Sequence, residues 1–372
     1  MKVVIFGLSV SSSWGNGHAT LWRGLCRVLA QWGHQVVFFE KDVPYYAAHR
    51  DLHDLEGGKL CLYREWVDVE SLAQRELDGA DAAIVTSFCP DGDRASRLVF
   101  DAKRPLKVFY DLDTPVTLST LSRGEGIPYL PASGMREFDL VLSYTGGAAL
   151  RALQQQLGAR RVYPLFGSVD PQVHRPAASL QRYRASVSYL GTYAEDRQPA
   201  LTRLFVEAAQ RMPDRRFLIG GALYPEDFPW TPNIHFVRHV PPPEHPSFFA
   251  SSRLTLNVTR KAMAEMGHCP SGRLFEAAAC GTPIVSDAWE GLEDFFTPDE
   301  EILIAHTTEE AIGAYLRSDE ELARIAKAAR ARALEEHSAE RRCAELVDHL
   351  SGSSSAVVQG KPAKVEAASM GR

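Results

Sequence analysis

The chain has 372 residues, 45% of them hydrophobic and 24% charged, with a formal net charge of −6. That length accommodates two domains of ordinary size, and the composition is that of a soluble globular protein. The acidic balance argues against a dedicated nucleic-acid binder, which carries a basic face or stripe. Cys26, Cys61, Cys89, Cys269, Cys280 and Cys343 are dispersed, with no CxxC and no zinc-ligand spacing. Free thiols in a reducing cytoplasm are the expectation. Residues 1–10 lack a signal-peptide pattern, and no apolar run reaches the roughly 18 residues of a membrane span.

Residues 2–6 form a continuous apolar run, the signature of a strand buried on both faces of a parallel sheet. A loop rich in Ser and Gly follows at 9–17. Residues 19–31 then show helical periodicity through Leu21, Leu25, Val28 and Leu29. Gly33 caps that helix, and 36–39 is the next strand. Such a βαβ unit predicts a right-handed crossover. Further strands are expected at 82–86, 107–110, 139–143 and 161–166, with helical segments between them. Residues 169–179 hold Pro171 and Pro176 and read as a linker. The alternation then restarts, with a strand at 187–190, a helix at 199–211, and strands at 216–220, 234–237, 254–258 and 284–286. Residues 309–316 and 319–350 read as helical.

Alternating strands and helices in both halves imply an α/β fold of two doubly wound, Rossmann-like domains facing a central cleft. The boundaries read as 1–168, a linker at 169–182, 183–336, and a C-terminal helix at 337–350. Residues 351–372 are small and polar, and disorder is expected there. No internal repeat is present.

Candidate chemistry sits in the loops. Gly15, Asn16, Gly17 and His18 lie between the first strand and the first helix. They approach GxGxxG, but Thr20 stands where the last glycine belongs, so a dinucleotide fingerprint is incomplete; Glu40 is the candidate acid after the second strand. Imidazole exchanges protons near neutral pH, so His18 is a candidate base; the alternative is a histidine capping its own helix. Asp111-Leu112-Asp113 has the D-x-D form. Its carboxylates could ligate a divalent metal, cap the helix before Pro115, or serve as a cleft-facing base. Gly191 opens a loop that reaches Arg197 and suits phosphates, or makes a plain strand–helix turn. Arg260 and Lys261 follow a strand; they add positive charge around a leaving group, or form a solvated face.

Residues 270–287 read PSGRLFEAAACGTPIVSD and compress a helix start, a helix, a glycine stop and a buried strand. Ser271 is the N-cap, Gly272 and Arg273 open the helix, Gly281 supplies the left-handed C-cap, and Pro283 prevents a restart. A helix N-terminus holds phosphate through unpaired N–H groups and dipole, and Arg273 adds a matching fork. Glu276, one turn on, can accept from vicinal hydroxyls such as those of a ribose.

This stretch resembles the donor-binding motif of GT-B glycosyltransferases, most closely the spore-maturation CgeB-like group. The likeness runs over residues 256–305, with a weaker one at Tyr189-Leu190-Gly191-Thr192-Tyr193. The first half matches in general pattern only. The resemblance implies that the helix end holds the diphosphate and Glu276 the ribose. It places the 15–18 loop on the acceptor side and sends the last helix back onto the first domain. Many retaining relatives carry a second glutamate eight residues before the Glu276 position; here that residue is His268. Asp287 and Glu290, after the next strand, are left as candidate sugar contacts, although Glu290 also suits a helix entry.

The reading is a cytoplasmic, metal-independent glycosyltransferase with a nucleotide-diphosphate sugar as co-substrate and no cofactor. The candidate bases are His18, Asp111 and Asp113. The acceptor (glycan, lipid, small molecule or protein) stays open, as does peripheral membrane contact. A nucleotide-sugar 2-epimerase and a non-catalytic nucleotide-sugar-binding protein are the rivals.

Overall fold

The computed structural model describes residues 1–352; residues 353–372, nearly all of the expected tail, lie outside the described residues. Seven strands build the first sheet: β1 (Lys2–Gly7), β2 (Gln35–Lys41), β3 (Gly58–Tyr63), β4 (Ala82–Thr86), β5 (Leu106–Asp111), β6 (Leu140–Ser143) and β7 (Val162–Pro164). Their order is β3-β2-β1-β4-β5-β6-β7. Six more build the second: β8 (Ala185–Leu190), β9 (Phe217–Gly221), β10 (Ile234–Arg238), β11 (Ser252–Asn257), β12 (Ile284–Ser286) and β13 (Leu303–Ile304). Their order is β10-β9-β8-β11-β12-β13. The strand pairs are parallel, in register from Lys2 opposite Gln35 in the first sheet and Val187 opposite Phe217 in the second.

The β1 run explains its place. Val3 and Ile5 enter one apolar cluster, Val4 and Phe6 the other, and all four are fully buried. Such a strand is stable only at the middle of a sheet covered on both faces. In the second sheet, Phe217 and Ile219 face one core and Leu218 the other. The strand order reverses between β1 and β4 and between β8 and β11. Crevices outside the carboxyl ends of strands at such reversals are where α/β sheets bind ligands.

The chain crosses between the halves twice, and the crossings touch. Val169 N–H donates to His337 O (2.9 Å), and Ala339 N–H donates to Val169 O (2.8 Å). The helix Ala339–Leu350, capped by Ser338, then lays Ala339, Cys343, Leu346 and Leu350 into the cluster that holds Val3 and Leu25. Arg27 clamps this corner with Nε and Nη2 each 2.9 Å from an Asp170 carboxylate oxygen, and Nη2 3.2 Å from Glu340. On the cleft side the halves meet again. Trp14 stacks on His49 and packs at a tilt against His239, with ring centroids 4.2 and 3.8 Å away.

Three differences from expectation have local causes. β3 and β13 were not expected: β3 is an edge strand with exposed and buried positions mixed, and β13 is two residues long. The 199–211 helix is real but is interrupted by a π turn at Thr202–Val206. The 319–350 helix breaks at His337 and Ser338, where Ser338 restarts it as an N-cap.

Candidate active site

The two switch points face one another across a cavity of about 450 Å³. Its walls come from the loop after β1, the segment after β7, the loops after β8 and β9, and the helix Gly272–Ala279. Volume and mixed polarity suit a small-molecule site.

The helix Gly272–Ala279 begins as its sequence dictates. Ser271 adopts extended backbone and its hydroxyl accepts from Arg273 N–H at 3.3 Å. Gly281 follows the helix at φ +76°, the left-handed region that a side chain resists. The helix thereby points Ser271, Gly272, Arg273 and Glu276 into the cleft. Glu276 is buried and bonds Arg273 Nη1 through Oε2. Burial pushes its carboxyl up, but Arg273 and two histidines outweigh that and hold it below the usual glutamate value.

Those histidines are His174 and His245, and neither was singled out in the sequence. His245 Nε2–H donates to Val240 O (3.2 Å), so Nδ1 accepts from Arg273 Nη1 at 3.3 Å. Burial first, then Arg273, pushes its pKa down to about 3, so it is neutral. His174 Nε2 stands 3.9 Å from Glu276 Oε2. His174, His245 and Glu276 place ligand atoms within 4.8 Å of one another, a spacing that would suit a metal ion. The Arg273 guanidinium already contacts two of the three, so a cation of the protein's own competes for them.

Positive charge lines the rest of this wall. Arg197 reaches the cleft with Nη1 3.4 Å from Thr192 O, while its Nε is buried with no hydrogen-bond partner among the described residues. Arg260 also lines the cleft, but Asp196 accepts from its Nε at 2.8 Å. Gly191 and Gly221 abut so closely that a Cβ on Gly221 would stand 2.0 Å from Gly191 O. That approach opens the floor beside Arg197.

Three candidates on this side face elsewhere. Lys261 is 67% exposed and turns to Glu265, 3.7 Å away. Asp287 is occupied, accepting from Thr259 N (3.0 and 3.1 Å) and Thr259 Oγ1 (3.0 Å), so it braces the loop after β11. Glu290 is 82% exposed and lies 3.8 Å from His268. His268 itself packs against Gly147 and Gly291 at the domain junction, away from the cavity.

Beside the loop after β1 the structure pairs two residues that the sequence kept 95 positions apart; neither they nor Asp111 line the cavity itself. His18 Nε2 lies 2.7 Å from Asp113 Oδ2, which also accepts from Ser87 Oγ at 3.3 Å. His18 Nδ1 is buried without a hydrogen-bond partner among the described residues. The pair sits beside Asn16 and Gly17, which line the cleft with Gly15. Asn16 is the N-cap of the helix Gly17–Gln31, its Oδ1 accepting from His18 N–H at 3.0 Å. Asp111 is fully buried; Oδ1 accepts from Asp113 N (3.1 Å) and Thr117 Oγ1 (3.0 Å). It supports the Asp113 turn, and burial followed by Asp113 pushes its pKa up to about 7. Glu40 accepts from Ser9 Oγ (3.0 Å), Val10 N (2.7 Å) and Ser11 N (2.9 Å). With both oxygens in the β1 loop, it has none to offer a dinucleotide ribose.

Residues 197–348 match a family described as "Glycosyl transferase-like". Two facing parallel-sheet domains around this cleft also superpose on solved enzymes over nearly their whole length. The fold is GT-B. The sucrose-phosphate synthase of Thermosynechococcus elongatus aligns at TM-score 0.67 and 14% identity, over 95% of this chain and 100% of that one. HepE of Anabaena, solved with UDP and glucose, gives 0.67 and 15% over 95% and 100%. An alpha-glucosyltransferase, solved with UDP-glucose and DNA containing an abasic site, gives 0.67 and 13% over 94% and 99%. No curated protein matches the chain. In GT-B terms, the matched family segment holds Arg197, Arg260, Arg273, Glu276 and His245, whereas His18, Asp113 and His174 lie before it. Among the described residues no helix is long and apolar enough to cross a membrane.

Proposed function

We propose that this protein transfers a sugar from a nucleoside-diphosphate donor to an acceptor hydroxyl, without a metal. The observation that carries the reading is the Arg273–Glu276 pair on a capped helix N-terminus facing the cleft. The helix end and Arg273 hold the diphosphate, with Arg197 and Arg260 beside it, and Glu276 takes the ribose. The UDP and UDP-glucose named with the structural relatives favour UDP and a hexosyl group. Three arginines and the helix dipole neutralise the leaving diphosphate, the charge a divalent ion would otherwise meet.

The His18–Asp113 pair favours transfer over mere binding and over epimerisation from donor alone. Asp113 orients the His18 imidazole through Nε2, beside the Gly15–Gly17 loop that lines the cleft, and in this reading the imidazole takes the acceptor proton as the acceptor oxygen attacks the anomeric carbon, the arrangement of an inverting enzyme. Lys261, Asp287 and Glu290 have no direct part in this reading. The motif over residues 256–305 supports the finer placement near the CgeB-like group, and free thiols support a cytoplasmic setting. The acidic net charge favours an acceptor other than nucleic acid.

Calorimetric titration of UDP, GDP, TDP and ADP in EDTA, into wild type and Glu276→Ala, tests the donor site. Binding of one nucleotide without metal, lost in the variant, is expected. Binding that the variant leaves untouched would refute the assignment.

A further inference from the structure

Three side chains converge on the cleft from three separate elements. His174 arrives on the turn that Asp170 makes, its carbonyl accepting from Val173 N (3.0 Å) and His174 N (2.8 Å). His245 opens the helix His245–Ala250, and Glu276 belongs to the helix Gly272–Ala279. All three are buried and line the cavity, and each offers a ligand atom within 4.8 Å of the others. Two imidazoles and a carboxylate are the donor set of a zinc-class ion; magnesium and calcium take oxygen ligands.

These ligands already hold the protonation states that a metal needs, neutral imidazole and ionised carboxylate. Burial, above all, keeps both histidines neutral, with His245 pushed down to about 3. Burial raises Glu276, but Arg273 and the histidines outweigh it and hold its carboxyl below the usual glutamate value. His245 Nε2–H donates to Val240 O (3.2 Å), which leaves a lone pair on Nδ1 and locks the ring, as an outer partner does for a metal-bound histidine. His174 turns Nε2 towards Glu276 Oε2 at 3.9 Å, too far for a hydrogen bond. Its Nδ1 has no hydrogen-bond partner among the described residues, so no bond there fixes the tautomer.

Arg273 stands where the ion would sit. Its Nη1 bonds Glu276 Oε2 and lies 3.3 Å from His245 Nδ1, so one positive nitrogen bridges two of the three ligands. The Arg273 side chain is 37% exposed and has the open cleft to turn into, whereas Glu276 and both histidines stay buried. Tetrahedral zinc, with bonds of roughly 2.0–2.1 Å, sets its ligands roughly 3.4 Å apart, so the three draw in by up to about an ångström and a half.

We propose that His174, His245 and Glu276 form a zinc site that the ion and the Arg273 guanidinium occupy in turn, so that zinc antagonises the donor. The antagonism rests on the donor-site reading above, in which Arg273 and Glu276 hold the nucleotide; the zinc site itself does not.

Calorimetric titration of ZnCl2 into metal-free wild type, His174→Phe, His245→Phe and Arg273→Met tests the site, with melting of each metal-free variant as the folding check. Wild type should take one ion per chain and melt higher with it. Each Phe variant should weaken zinc by at least the roughly 10- to 100-fold that losing an outer partner costs. Arg273→Met should bind zinc more tightly than wild type, because the competing cation is gone. MgCl2 should give no binding heat. Zinc should weaken UDP binding to wild type, and EDTA should reverse that. His174→Phe should be spared, which separates the effect from zinc taken up by the nucleotide itself. No uptake by wild type and Arg273→Met, or uptake that both Phe variants keep, would overturn the site. Zinc that leaves UDP binding untouched would overturn the antagonism. Failure of wild type to bind UDP in EDTA would overturn the donor reading, while the zinc titration still judges the site.

Discussion

Asp111 shows how one side chain can carry a pH dependence without touching a ligand. Its Oδ2 is buried with no hydrogen-bond partner among the described residues, and its pKa is pushed up to about 7, by burial first and Asp113 second. A carboxyl that ionises later in the folded chain than in the unfolded one favours folding while it is protonated. That contribution is complete below the ordinary aspartate value near 4 and is lost as pH rises through about 7. Asp111→Asn should therefore gain on wild type by up to roughly 4 kcal/mol across that window, read from denaturant melts at a series of pH values. His18 and Asp113 make a kinetic prediction. His18→Ala should lower kcat by roughly 10²- to 10⁴-fold with little change in donor KM. Asp113→Asn should lower it by less, because the imidazole remains but loses its orienting charge. An unchanged kcat in both would remove the pair from the chemistry.

At the level of elements, the helix Gly272–Ala279 was legible because every signal in it is local. A capping serine, an apolar stripe, a glycine at a left-handed position and a proline stop lie within one short stretch of chain. Ser271→Ala should cost about 1 kcal/mol through the lost cap, and should weaken nucleotide binding as the first turn loosens. Melting and titration on the same sample separate the two effects. The buried parallel strands were legible for a similar reason, since β1 or β5 must be apolar at successive positions. β3 escaped because an edge strand can leave Gly58, Lys59 and Leu62 exposed. His174 and His245 escaped for a deeper reason. Nothing near them in sequence marks a ligand, and each gains meaning only from Glu276, which arrives from another element. The His18–Asp113 contact is of the same kind: both residues were candidates, but only the fold of the first sheet makes them a pair.

For the molecule as a whole, the corner where the chain crosses twice is the point of greatest leverage. Arg27, Asp170 and Glu340 come from the first domain, the linker and the returning segment, and Asp170 is only 8% exposed. Removing one partner of a pair so enclosed leaves a charge unpaired. Asp170→Ala should lower stability by roughly 3 kcal/mol. Because the same turn carries His174, it should also weaken zinc binding, whereas Glu340→Ala should do little of either. The returning helix has a consequence for biosynthesis. The first domain is missing part of its hydrophobic interior, Cys343, Leu346 and Leu350 among it, until residues 339–350 have left the ribosome. Domains usually mature in the order in which they are translated. Here the first-made domain must wait for nearly the whole chain, with the groove beside Leu25 and Val28 open to chaperones in the meantime. Nascent chains stalled before residue 339 should be cut by protease within residues 1–168, and chains released after 350 should resist.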